Sequence, residues 1–272
     1  MIQVRWLGTA GIEFSYQGRV WLIDPFFTRP GKFASLFGRV RSNELICDQY
    51  LSATPGKIEA IFVGHSHLDH ALDVPYIAKK TGASVFGGKS MQTLMRIHGI
   101  PDQMRVVAQG DKIDLSNGFR MEIYESRHGR AFFGKVPFPG EIDASATIPL
   151  KASQYKHGTV FIFVFHWQDL SFGHLGSAEL IESNLSGAVA RILFLCAAGR
   201  QFTDHFVVRA MKVFNPSVVA PIHFDDFSVP IKQPLVRLPG VNLEGMIREI
   251  RAASASVKVI TPDIMSPMPL EI

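Results

Sequence analysis

Cysteine is nearly absent: Cys47 and Cys196 are the only two in 272 residues. That excludes a disulfide framework and agrees with a reducing compartment. Long apolar runs are missing as well. Stretches such as Val160 to Phe165 and Ile192 to Ala198 fall far short of the roughly 18 residues of a membrane span. Charge of one sign is scarce, with 28 basic against 24 acidic residues and a net charge of +4. So small an excess excludes strong long-range attraction to nucleic acid or anionic lipid. The opening Met1-Ile2-Gln3-Val4-Arg5-Trp6-Leu7 lacks the basic start, apolar stretch and small-residue cleavage site of a secretory signal, so a cytoplasmic protein is expected. Internal repeats and low-complexity linkers are also missing.

What is present, at 47% hydrophobic and 19% charged, suits a folded globule, and one domain over residues 1–272 is expected. Three strands, Ile2 to Leu7, Gly11 to Tyr16 and Arg19 to Ile23, are separated by glycine turns and read as an antiparallel meander. Phe26 to Asn43 shows little periodicity and reads as a long loop. Ile58 to Val63 reads as a buried strand, followed by helical spacing from Asp69 to Thr81. Further strands are expected near Ser84 to Phe86, Met104 to Val107, Lys112 to Asp114 and Phe119 to Glu125, with a helix over Lys89 to Ile97. Arg127 to Gln154 reads as a long irregular insertion. Thr159 to His166 and Leu170 to His174 form a hairpin, Ile192 to Cys196 is another buried strand, Asp204 to Phe214 is helical and Ser217 to Ile222 is the last strand. Strand groups with helices between and after them predict an α/β fold, two sheets with helices outside.

The chemistry concentrates at His65-Ser66-His67-Leu68-Asp69-His70, where the buried strand gives way to a helix. In an extended stretch, side chains at i and i+2 point the same way, so His65 and His67 can grip one metal ion. Asp69 and His70, on the turn into the helix, reach a second position beside it. Imidazole with carboxylate suits zinc, manganese or iron without a thiolate.

This pattern resembles the His-x-His-x-Asp-His motif of the metallo-β-lactamase superfamily. The segments Val4-Arg5-Trp6-Leu7-Gly8-Thr9-Ala10-Gly11 and Trp21-Leu22-Ile23-Asp24-Pro25 are similar to the opening of the branch that contains ascorbate-phosphate lactonase and N-acyl-phosphatidylethanolamine phospholipase D. The resemblance implies a four-layer αββα sandwich. It also implies His128, in Ile123-Tyr124-Glu125-Ser126-Arg127-His128-Gly129, as third ligand of the first metal. His223, in Val218-Val219-Ala220-Pro221-Ile222-His223, would complete the second. His98, His157, His166 and His205 match no motif position, and most of them read as surface or capped histidines.

One departure bears on the chemistry. The family bridges its metals with an aspartate after a mid-chain hairpin, and here the hairpin ends Ser171-Phe172-Gly173-His174-Leu175-Gly176-Ser177. In one register His174 replaces the aspartate as a nitrogen ligand; in the other, which fits better, Ser177 stands in its place. Glu179 reads as a solvated helix-start carboxylate. Loss of a bridging carboxylate is expected to weaken the second metal more than the first, giving a mononuclear or asymmetric centre.

The function implied is that of a metal-dependent hydrolase holding one or two zinc ions. It would use metal-bound hydroxide on an ester, lactone or phosphodiester, with Asp69 either binding the second metal or, in a one-metal site, orienting the water and accepting its proton. The substrate is expected to be a small molecule. It would be anionic if Thr28-Arg29-Pro30-Gly31-Lys32-Phe33 and Phe37-Gly38-Arg39-Val40-Arg41 form a basic lid, with Gly134 to Gly140 as a second wall. Two other readings stand beside this one. A nuclease of the same superfamily would need the basic arm or extra domain that this chain lacks. A non-catalytic binding protein would follow from the missing aspartate.

Overall fold

The structure is a computed structural model that describes residues 1–131, 134–231 and 234–268. Strands β1 (Gln3–Gly8), β2 (Gly11–Tyr16) and β3 (Arg19–Ile23) form the expected antiparallel meander. Parallel strands β4 (Lys57–Phe62), β5 (Ser84–Gly87) and β6 (Met104–Val106) continue the sheet from β3. The second sheet begins with β7 (Lys112–Asp114), β8 (Arg120–Ser126), β9 (Val160–Trp167) and β10 (Leu170–Leu175), all antiparallel neighbours. It ends with β11 (Ile192–Cys196), β12 (Val218–Ile222) and β13 (Lys258–Val259), all parallel.

Alternation along β3 explains the layering. Trp21 and Ile23 face the second sheet, whereas Val20 and Leu22 face an outer layer, so the strand is apolar on both sides. Between the sheets aromatic rings interlock: Phe14 stacks on Phe165 at 4.3 Å, and Trp21 lies 4.3 Å from Phe119. The outer layer on the first sheet contains α2 (Glu44–Ser52), α4 (Val74–Thr81) and α5 (Lys89–Ile97), through Cys47, Ile77 and Leu94. Beyond the second sheet, α6 (Phe206–Phe214) and α7 (Leu243–Ala253) bury Phe206, Ala210, Leu243 and Met246. Helix, sheet, sheet, helix is the expected arrangement.

Three local readings need correction. The Phe26 to Asn43 stretch contains a short helix, α1 (Lys32–Phe37), and ends at Asn43, whose side chain caps α2 by accepting from the Ile46 N–H at 3.3 Å. The helical spacing from Asp69 to Thr81 is split into α3 (Leu68–Ala71) and α4. Pro75, in the first turn of α4, has no N–H for a continuous ladder, and the Asp73 carboxylate instead accepts from the N–H groups of Phe27 and Thr28 at 2.7 and 2.8 Å. Ser217 to Ile222 is not the last strand, because α7 returns the chain to pair β13 beside β12.

Candidate metal centre

His65, His67, Asp69, His70, His128, Ser177 and His223 lie at one end of the sandwich, where strands deliver them from their C-terminal ends, and Asp24 joins them there. Asp24 follows β3, the 65–70 motif follows β4, His128 follows β8, Ser177 follows β10 and His223 follows β12. Two groups of donors result. His65, His67 and His128 form one, and Asp69, His70 and His223 form the other, with the donor atoms within 4.8 Å of one another in each group. The groups adjoin, since the His65 and His70 rings are 3.8 Å apart between centroids.

The outward nitrogen of several imidazoles is tied to the scaffold, which leaves the other facing the centre. His67 Nε2 lies 3.0 Å from the Pro137 carbonyl oxygen and His128 Nδ1 lies 2.6 Å from that of Gly129. His70 Nδ1 lies 2.7 Å from the Asp24 carboxylate. Asp24 also accepts the Gly64 N–H at 2.6 Å, and a Cβ at Gly64 would stand 2.9 Å from its Oδ2, so only glycine fits there. Gly129 is fixed similarly: a Cβ would meet the Ala178 carbonyl oxygen at 2.8 Å, and its N–H donates to Ser177 Oγ at 2.9 Å. His223 has φ +58°, a left-handed conformation costly for histidine. Its N–H donates to the Thr9 carbonyl at 2.8 Å, which helps hold that turn.

The donor chemistry fits a divalent cation. Among the described residues no hydrogen-bond partner reaches either ring nitrogen of His65, nor Nδ1 of His223, although these atoms are buried. Buried polar atoms left so cost about 1–3 kcal/mol each, and an ion facing the inward nitrogen of His65 offsets that cost. Burial, then the neighbouring imidazoles, pushes His65 well below its ordinary value. Burial also lowers His67 to about 4 and His128 to about 3, so these lone pairs are free at neutral pH. For His70 burial acts downward, but Asp24 and Asp69 prevail and raise it. Burial would raise Asp69; His70, His223 and His67 instead hold it well below the usual carboxylate range.

A pH dependence of the metal-free protein follows. An unfolded histidine titrates near 6.5, whereas His67 and His128 take a proton in the fold only near 4 and 3. Between these limits the unfolded chain binds more protons, so stability is lost as pH falls from about 6.5 toward 4. His70, shifted the other way, offsets part of this. Thermal midpoints of chelator-treated protein are therefore expected to fall steadily from pH 7 to pH 4.5; a midpoint that rose on acidification would contradict the assignment.

The remaining candidates are placed differently. His174 belongs to neither group: its Nε2 lies 2.7 Å from the Ala10 carbonyl oxygen, and the residue is 1% exposed. Ser177, by contrast, lines the cavity above the donors, beside His128 through its bond to Gly129. Glu179 is held away by Arg209 Nη1 at 2.9 Å and by its bond to the Leu180 N–H. Of the four cations expected in a lid, Arg29 is buried against Asp225, and Arg39 donates to the Pro149 carbonyl at 2.8 Å. Only Lys32 of the four lines the cavity, 3.6 Å from Asp226. The second wall is where it was expected, with Pro137 and Phe138 on the cavity.

Asp24 and His157 are additions. Asp24 lies in the segment Trp21-Leu22-Ile23-Asp24-Pro25, but its bond to His70 is a long-range contact with no local signature. His157 comes from the far end of the insertion. Its ring lies 5.6 Å from that of His128 and 5.7 Å from that of His67, and its carbonyl accepts the Ser66 N–H at 2.9 Å.

Two adjoining histidine-rich donor groups at one end of a sandwich of two helix-covered sheets define a candidate metal centre on an α/β fold. Residues 3–223 match the model of the beta-lactamase superfamily domain, and the chain belongs to that superfamily. Within it the chain is a member of the UPF0173 metal-dependent hydrolase family. It is 31% identical over 270 residues to a UPF0173 metal-dependent hydrolase of Polynucleobacter asymbioticus, covering 95% of this chain and 82% of that one. A second such protein, from Caldivirga maquilingensis, is 25% identical over 228 residues, 82% of each chain. In fold the chain is similar to a metallo hydrolase from the hyperthermophilic archaeon Ignicoccus hospitalis, with a TM-score of 0.62 at 17% identity, covering 98% of this chain and 96% of that one.

Proposed function

We propose that the protein hydrolyses an ester, lactone or phosphodiester at a metal centre held by His65, His67 and His128 on one side and Asp69, His70 and His223 on the other. The observation that carries this reading is the two adjoining donor groups on the floor of a cavity of about 640 Å³. A divalent ion bound there polarises a carbonyl or phosphoryl oxygen and lowers the pKa of water from about 15.7 toward about 7. Zinc is the ion assigned, and manganese or iron suits the same donors. The three bond classes follow the likeness to the lactonase and phospholipase D branch.

The chain's own groups do the rest. Asp69 Oδ2, 3.1 Å from His223 Nε2, is ionised, and it orients the attacking water and accepts its proton. Asp24 fixes the tautomer and direction of His70. Both donor groups together contain a single carboxylate, Asp69, and in the register that fits better Ser177 would offer a neutral hydroxyl where the resemblance implies a bridging aspartate. Two dications side by side would repel, so the sites would be unequal: the three-imidazole group would keep its ion, and the Asp69 group would hold a second more weakly.

Metal content by elemental analysis, on protein purified without an affinity tag and loaded with Zn²⁺ or Mn²⁺, tests this together with hydrolysis of bis(4-nitrophenyl) phosphate, a simple lactone and 4-nitrophenyl esters. About one equivalent is expected to survive dialysis, rising to two in Ser177→Asp. At least one bond class should be cleaved by loaded protein and by none treated with chelator. Loaded protein inert toward all three classes would overturn the hydrolase reading, and two equally retained equivalents in the unaltered protein would overturn the asymmetry.

A further inference from the structure

The cavity is polar on its floor and largely apolar opposite, with Lys32, Arg130, Gln201, Asp226 and Ser228 interspersed in its lining. Its floor is the two donor groups, whereas three separate loops opposite supply large apolar side chains: Phe138 from the insertion, Phe202 after β11, and Phe227, Leu238 and Val241 between β12 and α7. This wall touches both halves of the floor. The Phe138 ring is 6.3 Å from that of His67, and the Phe227 ring is 5.5 Å from that of His223. Phe138 and Phe202 each keep 40% of their surface exposed, so two large apolar side chains stand open to water at the cavity. At about 640 Å³ the space lies within the range, about 300–1,000 Å³, that buries most of a ligand of drug size. A small polar substrate would leave that wall wet, whereas an apolar substituent beside the reacting group would cover it.

We infer that the substrate carries an apolar acyl or aryl group attached directly to the scissile carbonyl or phosphoryl, lodged against Phe138, Phe202 and Phe227. The inference rests on the hydrolase reading for the word substrate, but the apolar recognition stands on the wall alone. Each methylene buried there favours binding by about 0.8 kcal/mol, which is about fourfold.

Two measurements on the full-length, Zn²⁺-loaded chain separate the inference from the reading beneath it. The first is kcat/KM along 4-nitrophenyl acetate, butyrate, hexanoate and octanoate. The second is displacement of a fluorescent dansylated fatty acid by acetate, hexanoate and octanoate, which needs no turnover. A kcat/KM that climbs about two- to fourfold per methylene, with octanoate the best competitor, is expected. Phe138→Ser and Phe202→Ser are expected to flatten both series while metal content stays unchanged. Hydrolysis with no dependence on chain length would overturn the inference and leave the hydrolase. Probe displaced in order of chain length, with no ester, lactone or phosphodiester cleaved, would overturn the hydrolase and leave the apolar site. Neither probe binding nor hydrolysis would overturn both.

Discussion

Asp69→Asn is expected to lower kcat by about 10²–10⁴-fold on whichever substrate class the unaltered protein cleaves, and to abolish the weaker metal equivalent while leaving the first in place. Asparagine keeps the volume and one acceptor oxygen but neither the charge nor the ability to take a proton. The carboxylate is the sole anionic donor in the two groups, and its Oδ2 lies 3.1 Å from His223 Nε2 and 3.7 Å from His70 Nε2. Removing its charge leaves two imidazoles, His70 and His223, which hold a dication poorly without an anionic partner. Folding should be little affected, because the side chain is 15% exposed and lies on the cavity. Unchanged kcat and two unchanged metal equivalents would remove Asp69 from the chemistry. A lost first equivalent would show that the two groups do not bind independently.

The sandwich was largely legible because its strands are short apolar runs punctuated by glycine, and α5, with Met91, Leu94 and Met95 on its buried face, has clear helical spacing. The centre was legible where the chemistry is local. The i and i+2 relation of His65 and His67 and the turn that carries Asp69 and His70 divide the motif as the structure divides it. What was not legible is non-local. The partner of His70 lies 46 residues upstream, at Asp24. His157 reaches the rings of His67 and His128 only because the insertion folds back across the motif. The same limit hid the burial of Arg29, expected as a lid cation: it depends on a carboxylate 196 residues away.

That buried pair underlies the second large effect expected, which is on stability. Arg29 and Asp225 are joined by Nη2 and Oδ2, with side chains 1% and 0% exposed, and Asp225 Oδ1 also accepts the Thr9 N–H at 2.8 Å. Thr9 in turn accepts the His223 N–H through its carbonyl and the Trp6 indole N–H at 2.9 Å. One ion pair thus ties together the loop after β3, the first hairpin turn and the strained turn that presents the last histidine. Removing one partner strands a buried charge, so Arg29→Ala and Asp225→Ala are each expected to destabilise the fold by about 3–5 kcal/mol. For a chain of this size that lowers the thermal midpoint by roughly 5–9 °C. The double substitution Arg29→Met with Asp225→Leu, which leaves no charge unpaired, should recover much of the loss. It should not recover the weaker metal equivalent, since the Thr9 N–H loses its acceptor and His223 its fixed turn. Thermal unfolding of the three variants with metal analysis on each would decide the matter: a double variant no more stable than either single one would mean that packing of the Arg29 stem, not the charge pair, holds this corner of the fold.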